Sequence, residues 1–126
     1  MPTQVKCHTR VEALQNALAF GPWDFFDNDV YDEMFAAQIQ LSALLFAQII
    51  GGANPSITAI TTVQFLAIIP DQTIMVGLHG VNAQSNGFTL NANRCLKIGT
   101  GSLNSVSVYN TVTTVCNAVF IVGGTG

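Results

Sequence analysis

The residues of this chain that could carry chemistry are few, and most of the acidic ones stand together. Five of the seven Asp and Glu residues fall within 24–33. Hard cations such as Ca²⁺ require several convergent oxygens, which Asp27, Asp29 and Asp32 could supply. Counted from Asp27, however, Tyr31 and Asp32 take the fifth and sixth positions, so the EF-hand pattern with its glycine is absent. The sequence therefore favours a solvated helix start here and predicts no metal site.

Few residues of the chain could support acid–base or nucleophilic catalysis either. His8 and His79 are the two imidazole bases, and catalysis by a nucleophile also requires the nucleophile itself and an orienting group. Cys7 precedes His8, but neighbouring side chains diverge, so the adjacency does not make a dyad. Neither Gly-x-Ser-x-Gly nor His-Glu-x-x-His occurs. The sequence predicts a protein that is not an enzyme and holds no cofactor.

Charge is scarce along the chain. Asp, Glu, Lys and Arg make up 9% of its 126 residues and hydrophobic residues 49%, whereas about 25% of an ordinary soluble domain is charged. A free domain normally relies on surface charge for solubility, so we expect neighbouring subunits to cover much of this surface. The four basic residues, Lys6, Arg10, Arg94 and Lys97, are scattered and predict no specific nucleic-acid binding.

The cysteines and the apolar segments bear on the compartment. Three widely spaced cysteines, Cys7, Cys95 and Cys116, are typical of reduced thiols, with a Cys95–Cys116 bridge as the alternative. The N-terminus lacks the continuous apolar run of a secretory signal. The uncharged segment 34–53 is long enough to span a bilayer, but three glutamines and a serine interrupt it. A membrane span is therefore not the favoured interpretation.

The first part of the chain is predicted to be helical. Thr9 and Glu12 fit a capping box, and Gly21 followed by Pro22 is a typical helix stop. A second helix is predicted over about 28–50, and at about 100° per residue its apolar side chains occupy every side. A helix of this kind is buried, which requires other helices, most simply copies from sister subunits, around it.

The rest of the chain is predicted to be β. A breaker cluster at 51–56 introduces a sequence rich in Thr, Val and Ile with frequent turn signals, and Asn110 marks a kink between two apolar runs. The candidate strands are Ile57–Ile69, Thr73–Leu78, Phe88–Leu90, Cys95–Ile98, Ser105–Tyr109, Thr111–Val115 and Ala118–Val122. The predicted fold class is α+β, with an N-terminal α-helical segment of two helices over 1–55. A mainly antiparallel β-sandwich or jelly-roll-like domain then follows over 56–126.

Large apolar side chains before and within the second predicted helix are the candidate contact residues. Trp and Tyr are favoured interface anchors, and aromatic residues are dense here. The candidate interface residues are Trp23, Phe25, Phe26, Tyr31, Phe35, Leu41, Leu45 and Phe46. We expect the segment 1–55 to serve oligomerisation or anchoring, with Leu41 and Leu45 in the helical core of the oligomer.

The second half of the chain resembles a known class of proteins. The runs Gly87–Leu90, Leu103–Asn110 and Ala118–Thr125 are similar to the compact β-domains of tailed-phage virion accessory proteins, which include decoration or cement proteins and head-fibre or tail-associated subunits. The resemblance covers about 57–126 and rests on pattern. It implies a homo-oligomer, with a trimer favoured, that contacts other virion structural proteins, and it carries over no catalytic residue.

Composition and resemblance together predict a non-enzymatic virion structural protein. It would be a self-associating subunit that stabilises or decorates the capsid or tail of a particle assembled in the host cytoplasm. A ligand- or carbohydrate-binding β-module is the first alternative, with the loops at 80–87 and 99–103 as its candidate site. A membrane-associated protein is the second alternative.

Overall fold

The protein is nearly all β. The computed structural model describes residues 3–51, 60–99 and 101–126. Strands hold 66% of the described residues and helix 4%, and no described helix reaches seven residues. The strand pairs are antiparallel. The predicted α+β class is therefore wrong, since strands occupy the positions of both predicted helices.

The described residues form ten strands and one short helix. They are β1 (Thr3–Gln15), β2 (Leu18–Tyr31), β3 (Glu33–Leu41), β4 (Phe46–Ile50), β5 (Thr62–Pro70), β6 (Ile74–Leu78), α1 (Ala83–Asn86), β7 (Phe88–Leu90), β8 (Leu96–Ile98), β9 (Val106–Asn110) and β10 (Cys116–Thr125). The strand predicted over Thr111–Val115 is a loop between β9 and β10. Residues 52–56 of the predicted breaker cluster lie outside the described residues. So do the first three residues, 57–59, of the strand predicted over Ile57–Ile69.

The chain divides into two compact units, Met1–Tyr31 and Asp32–Gly126. The first unit consists of β1 and β2, which pair as a hairpin. The second unit contains the other eight strands and α1. The boundary expected from the sequence, at 55/56, falls outside the described residues, while strands β3 and β4 before it belong to the second unit.

The hairpin follows from a period of two along β1. Polar and less polar residues alternate there, and alternate residues of a strand point to opposite faces. One face carries Val5, Cys7, Thr9 and Val11, and the other carries Gln4, Lys6, His8 and Arg10. Asn16 and Ala17, both at positive φ, connect Gln15 to its partner Leu18. Two central residues of this conformation define a type I′ turn, whose twist suits a hairpin.

The residues that predicted the ends of the first helix lie inside the hairpin. The pairing shifts register between Val11 and Ala13, which leaves Glu12 in a bulge near Gly21. Gly21 has a φ of +86°, and a Cβ on it would lie 2.7 Å from the Val11 carbonyl oxygen. The Gly21-Pro22 pair therefore serves a strand irregularity, for which glycine is suited, and does not end a helix.

The second unit is a sandwich of two four-stranded sheets. Sheet I has the order β3-β10-β5-β8, and sheet II has the order β4-β9-β6-β7. Eight antiparallel strands distributed over two sheets in this order form a jelly roll, which consists of two Greek keys. The chain passes between the two sheets repeatedly, and the connections β3–β4 and β9–β10 are two of these crossings.

The core lies between the inner faces of the two sheets. Along β10, Cys116, Ala118, Phe120 and Val122 are buried, and the residues between them point outward. On β3, Phe35 and Ile39 pack against the same core and Leu41 is part of it. The outward residues of β3 include Gln38 and Gln40, which would fall on different sides of a helix. Each fully buried large side chain contributes about 1.5–3 kcal/mol to stability.

Asn110, at the end of β9, holds two of the crossings between the sheets, β3–β4 and β9–β10. Its fully buried side-chain amide nitrogen lies 3.2 Å from the Leu41 carbonyl oxygen, 3.0 Å from that of Ser42 and 2.9 Å from that of Thr114. Its side-chain oxygen Oδ1 accepts from the Val112 N–H at 3.2 Å. One side chain thus satisfies backbone groups of both corners, 42–45 and 111–115.

Replacing this amide should destabilise the sandwich strongly. In Asn110→Ala the backbone groups of the two corners lose their partner at a buried position, and each unsatisfied group costs about 1–3 kcal/mol. We expect urea denaturation to show a loss of about 2–4 kcal/mol in unfolding free energy. Asn104→Ala, at an exposed position, is the matched control. A loss below 1 kcal/mol in Asn110→Ala would contradict this role.

Asp71 ties the start of the β5–β6 turn to β10. Its carboxylate accepts from the backbone N–H of Asn117 at 2.8 Å and from the Asn117 side-chain amide at 3.3 Å. In return, the Asp71 N–H donates to the Asn117 carbonyl oxygen at 3.0 Å. The backbone N–H of Asn117 is the main cause that lowers the pKa of Asp71 in the folded state.

The lowered pKa of Asp71 predicts a pH dependence of stability. A carboxyl whose pKa is lower in the folded state stabilises the fold fully above its ordinary pKa of about 4, and this contribution is lost as pH falls through the folded pKa. The difference in unfolding free energy between wild type and Asp71→Asn should therefore shrink below about pH 4. Asn117→Ala keeps the backbone N–H, so it should retain most of the dependence. If the unfolding free energy fell equally with acid pH in wild type and in Asp71→Asn, the assignment would be refuted.

Candidate interaction surface

The hairpin β1–β2 exposes an unusual amount of apolar surface. Val5 and Tyr31 are buried, while most other described side chains of the hairpin are exposed. The exposed large apolar residues are Val11, Leu14, Leu18, Phe20, Trp23, Phe25, Phe26 and Val30. A two-stranded hairpin is marginally stable in water on its own. Apolar side chains at this density indicate a surface made to be covered.

The two faces of the hairpin differ in chemistry. Val11 lies opposite Trp23, and Thr9 lies opposite Phe25, so that Val11, Trp23 and Phe25 share one face. Trp23 is 53% exposed and Phe25 is 55% exposed. We call these three residues the aromatic face of the hairpin. It is the strongest candidate contact surface in the first unit, because tryptophan and large aromatics dominate binding energy at interfaces.

The opposite face of the hairpin is mixed. The His8 ring stacks on Phe26 with centroids 4.4 Å apart, and its Nε2 lies 2.7 Å from the Asp24 carboxylate. A histidine oriented by a carboxylate is part of a catalytic triad, but the nucleophile is missing from this arrangement. Cys7, the neighbour in sequence, points to the other face of β1. The His8–Asp24 pair therefore orders the hairpin surface.

The other two candidates for chemistry are His79 and the acidic stretch. His79 lies at a φ of 55° in the turn after β6, where its N–H donates to the Ser105 carbonyl oxygen. The acidic stretch runs along β2, and Asp24 and Asp29 fall on opposite faces of the hairpin. Among the described side chains, no group of three or more potential metal ligands converges.

The eight predicted interface residues do not form one surface. Trp23 and Phe25 share the aromatic face and Phe26 lies on the mixed face, whereas Tyr31 is buried. Leu41 is 1% exposed in the sandwich core, and Phe35 packs against that core. Leu45 is exposed at the corner before β4, and Phe46 is half-buried on β4. The predicted helix that placed Leu41 and Leu45 in an oligomer core does not exist, and a charge at Leu41 would unfold the sandwich.

Sheet I carries a second apolar surface, which the sequence reasoning missed. On its outer side Ile121 of β10 lies opposite Ala36, and Val119 lies opposite Ile69. Ile69 and Ala36 are exposed, and Val119 and Ile121 are half-buried. We call these four residues the outer face of sheet I. The alternation of Val119 and Ile121 with the buried Ala118 and Phe120 was the signal that could have revealed it.

Sheet II differs from sheet I in that a loop covers part of its outer side. The Ser107 hydroxyl accepts from the Ala83 N–H and donates to the Val81 carbonyl oxygen, each at 3.1 Å. This contact requires Gly77, since a Cβ there would overlap the Val81 carbonyl oxygen. The predicted ligand loop at 80–87 is thus packed on the sheet around Ser107. Thr100, within the second predicted ligand loop at 99–103, lies outside the described residues.

Comparison with known proteins identifies no relative. No protein-family model, curated protein or solved structure matches the chain. Within 3–51, 60–99 and 101–126, no helix is both long enough and apolar enough to cross a membrane. The function must therefore be inferred from the fold and the surfaces of this chain.

The three cysteines are free thiols in different surroundings. Cys95 is exposed, Cys7 is half-buried and Cys116 is buried in the core, so the alternative Cys95–Cys116 bridge is not formed. Burial raises the pKa of the Cys116 thiol, because desolvation disfavours the thiolate. The thiolate is the reactive form of cysteine, so Cys116 is both shielded and less reactive.

Alkylation should therefore follow a fixed order. With iodoacetamide at neutral pH, Cys95 should react first and Cys7 more slowly, while Cys116 should react at least about a hundredfold more slowly because it requires global opening. Peptide mass spectrometry at increasing times measures the three rates. In Cys95→Ser the fastest phase should disappear. Rapid native labelling of Cys116, or a peptide that links Cys95 to Cys116, would contradict the structure.

Proposed function

We propose that the chain is a non-enzymatic structural subunit of a virus particle. It acts by self-association, as a homo-oligomer with a trimer favoured, and stabilises or decorates the capsid or tail together with other virion proteins. The observation that carries the proposal is the hairpin, whose two strands expose eight large apolar side chains. A subunit that remained alone in solution would gain nothing from such a surface.

The fold of the second unit supports this proposal. Jelly rolls with eight strands in two sheets are common in viral capsid proteins, and they also occur in lectins and cupins. Because one fold hosts many functions, the fold alone does not identify one. The resemblance of 57–126 to virion accessory domains gives the viral use its weight. Free thiols agree with assembly in the reducing cytoplasm of a host cell.

The amount of exposed aromatic surface supports self-association. Phe20, Trp23, Phe25 and Phe26 are each between 48% and 74% exposed. If a whole aromatic side chain presents about 200 Å², these four leave roughly 450 Å² open. The four exposed aliphatic residues of the hairpin add to that area. This area is divided between the two faces of the hairpin, and the aromatic face alone is comparable to the largest apolar patch of a typical monomer, roughly 300–600 Å² and often functional.

Native mass and the emission of the single tryptophan test the proposal. We expect analytical ultracentrifugation of the whole chain at micromolar concentration to give a mass of at least two subunits of 13.4 kDa. Trp23 is the only tryptophan, and it is more than half exposed in the single chain. Its emission should therefore shift to shorter wavelength as the concentration rises, with the same midpoint as the change in mass.

Salt separates this association from a charge-driven one. Apolar contacts are not screened by salt, whereas ion pairs between exposed groups weaken with it. The mass should therefore persist between 0.05 and about 0.5 M NaCl. A monomer at all concentrations, with red-shifted Trp23 emission, would refute self-association.

Ligand or carbohydrate binding is the second candidate function. The observation that favours it is an open groove of about 370 Å³ on the hairpin, lined by Lys6, Cys7, His8, Phe26 and Asn28. Aromatic and polar side chains together are typical of small-molecule sites. This candidate predicts a chain that stays monomeric and whose His8 NMR signals shift when a sugar is added. Association without such shifts favours the structural subunit.

A further inference from the structure

We propose that the aromatic face of one copy packs on the outer face of sheet I of a second copy. This inference rests on the proposed self-association, and it names the partner and the two surfaces that meet. Each subunit would place its hairpin on a second copy and bind the hairpin of another copy on its own sheet I. Two copies that exchange hairpins reciprocally form a two-fold, isologous pair, whereas a head-to-tail series of the same contact is heterologous and closes as a ring.

The two surfaces match in shape and polarity. On the outer face of sheet I, Ile121 stands beside Ala36 and Val119 stands beside Ile69, while Gln38 flanks Val119 on its other side and supplies a polar edge. The small Ala36 leaves room next to Ile121 for a large side chain such as Trp23. Two β-surfaces with apolar residues pack face to face at about 10 Å, with their side chains interdigitated. A two-stranded hairpin with one aromatic face meets these requirements.

The buried area is sufficient when each copy makes the contact twice, once with its hairpin and once with its sheet I. From their exposed fractions, Val11, Trp23 and Phe25 offer roughly 300–350 Å². The sheet loses a similar area on contact. Because each copy gives one surface and receives on the other, each would bury roughly 700 Å² in total, close to the 800 Å² per partner of a standard interface.

Charge favours the sheet over a second hairpin as the partner. The hairpin holds four acids, Glu12, Asp24, Asp27 and Asp29, against two cations, Lys6 and Arg10. Two hairpins in contact would bring like net charges together. In contrast, both cations of the second unit, Arg94 and Lys97, lie at or just before β8, which is an edge strand of sheet I. Complementary charge of this kind sets orientation and specificity more than affinity.

A complementation experiment with two defective variants tests the inference. The hairpin variant is W23S/F25S, and the sheet variant is V119K/I121K. Each alone should lose at least about a hundredfold in association, since a single large anchor at an interface is worth about thirtyfold or more. When mixed, the intact hairpin of the sheet variant can dock on the intact sheet of the hairpin variant. The mixture should therefore form a one-to-one pair, weaker than the wild-type assembly because only one of the two contacts is intact, but tighter than either variant alone.

The tryptophan makes the readout specific. The hairpin variant contains no tryptophan, so all indole emission in the mixture comes from Trp23 of the sheet variant. We expect this emission to shift to shorter wavelength as the silent hairpin variant is added, and ultracentrifugation should show a mass of two chains. Arg10→Gln, on the mixed face of the hairpin, and Val81→Lys, on an exposed loop, are the matched controls and should associate like wild type.

The outcomes separate this inference from the proposed function. If the sheet variant associates like wild type while the hairpin variant does not, the hairpin docks elsewhere, self-association stands and the inference is overturned. If both variants are monomeric and the mixture stays monomeric, the inference is also overturned. If wild type itself is monomeric, the proposed function fails first. Should V119K/I121K lack a cooperative thermal transition, V119T/I121T keeps the β-branched side chains and replaces it in every arm.

Discussion

The side-chain amide of Asn110 is the interaction on which the sandwich depends most. The chain passes between the two sheets several times, and this one buried group binds backbone atoms at two of these corners, 42–45 and 111–115. An amide supplies the donors and the acceptor that the corners require, whereas a carboxylate would direct oxygen against carbonyl oxygens. Because the crossings are fixed, the inner faces of sheet I and sheet II can close on one core.

The sandwich buries its apolar side chains within one chain, whereas the hairpin leaves many of its apolar side chains exposed. In the second unit, Phe120 and its neighbours bury their side chains between two sheets of the same chain. The hairpin has only two strands, and its aromatic face remains open. Charge is also sparse in the second unit, where Asp71, Arg94 and Lys97 are the charged residues after Asp32 and Glu33 at its start. A surface so poor in charge suits a subunit that is largely covered in its working state.

The N-terminal half was misread because helix signals are local and strand pairing is not. Thr9, Glu12 and the Gly21-Pro22 pair form patterns that are typical of helix ends. The competing signal was the period of two from Gln4 to Glu12, which the structure follows. In β3, the spacing of Phe35, Ile39 and Leu41 fits a strand as well as a helix. Only pairing with β10, where Leu41 meets Cys116, decides between them.

The sequence by itself determined the scarcity of charge, the density of aromatic residues in 20–35 and the strand-forming texture after residue 60. It located β7 at Phe88–Leu90 and β5, β6, β8, β9 and β10 nearly in place. Only the tertiary structure decided that Leu41 lies in the core and that Trp23 and Phe25 share an open face. It also decided that the Asn110 side chain is buried and binds backbone groups of two corners. Burial depends on which distant strand lies opposite a residue, and that partner is not encoded in local sequence.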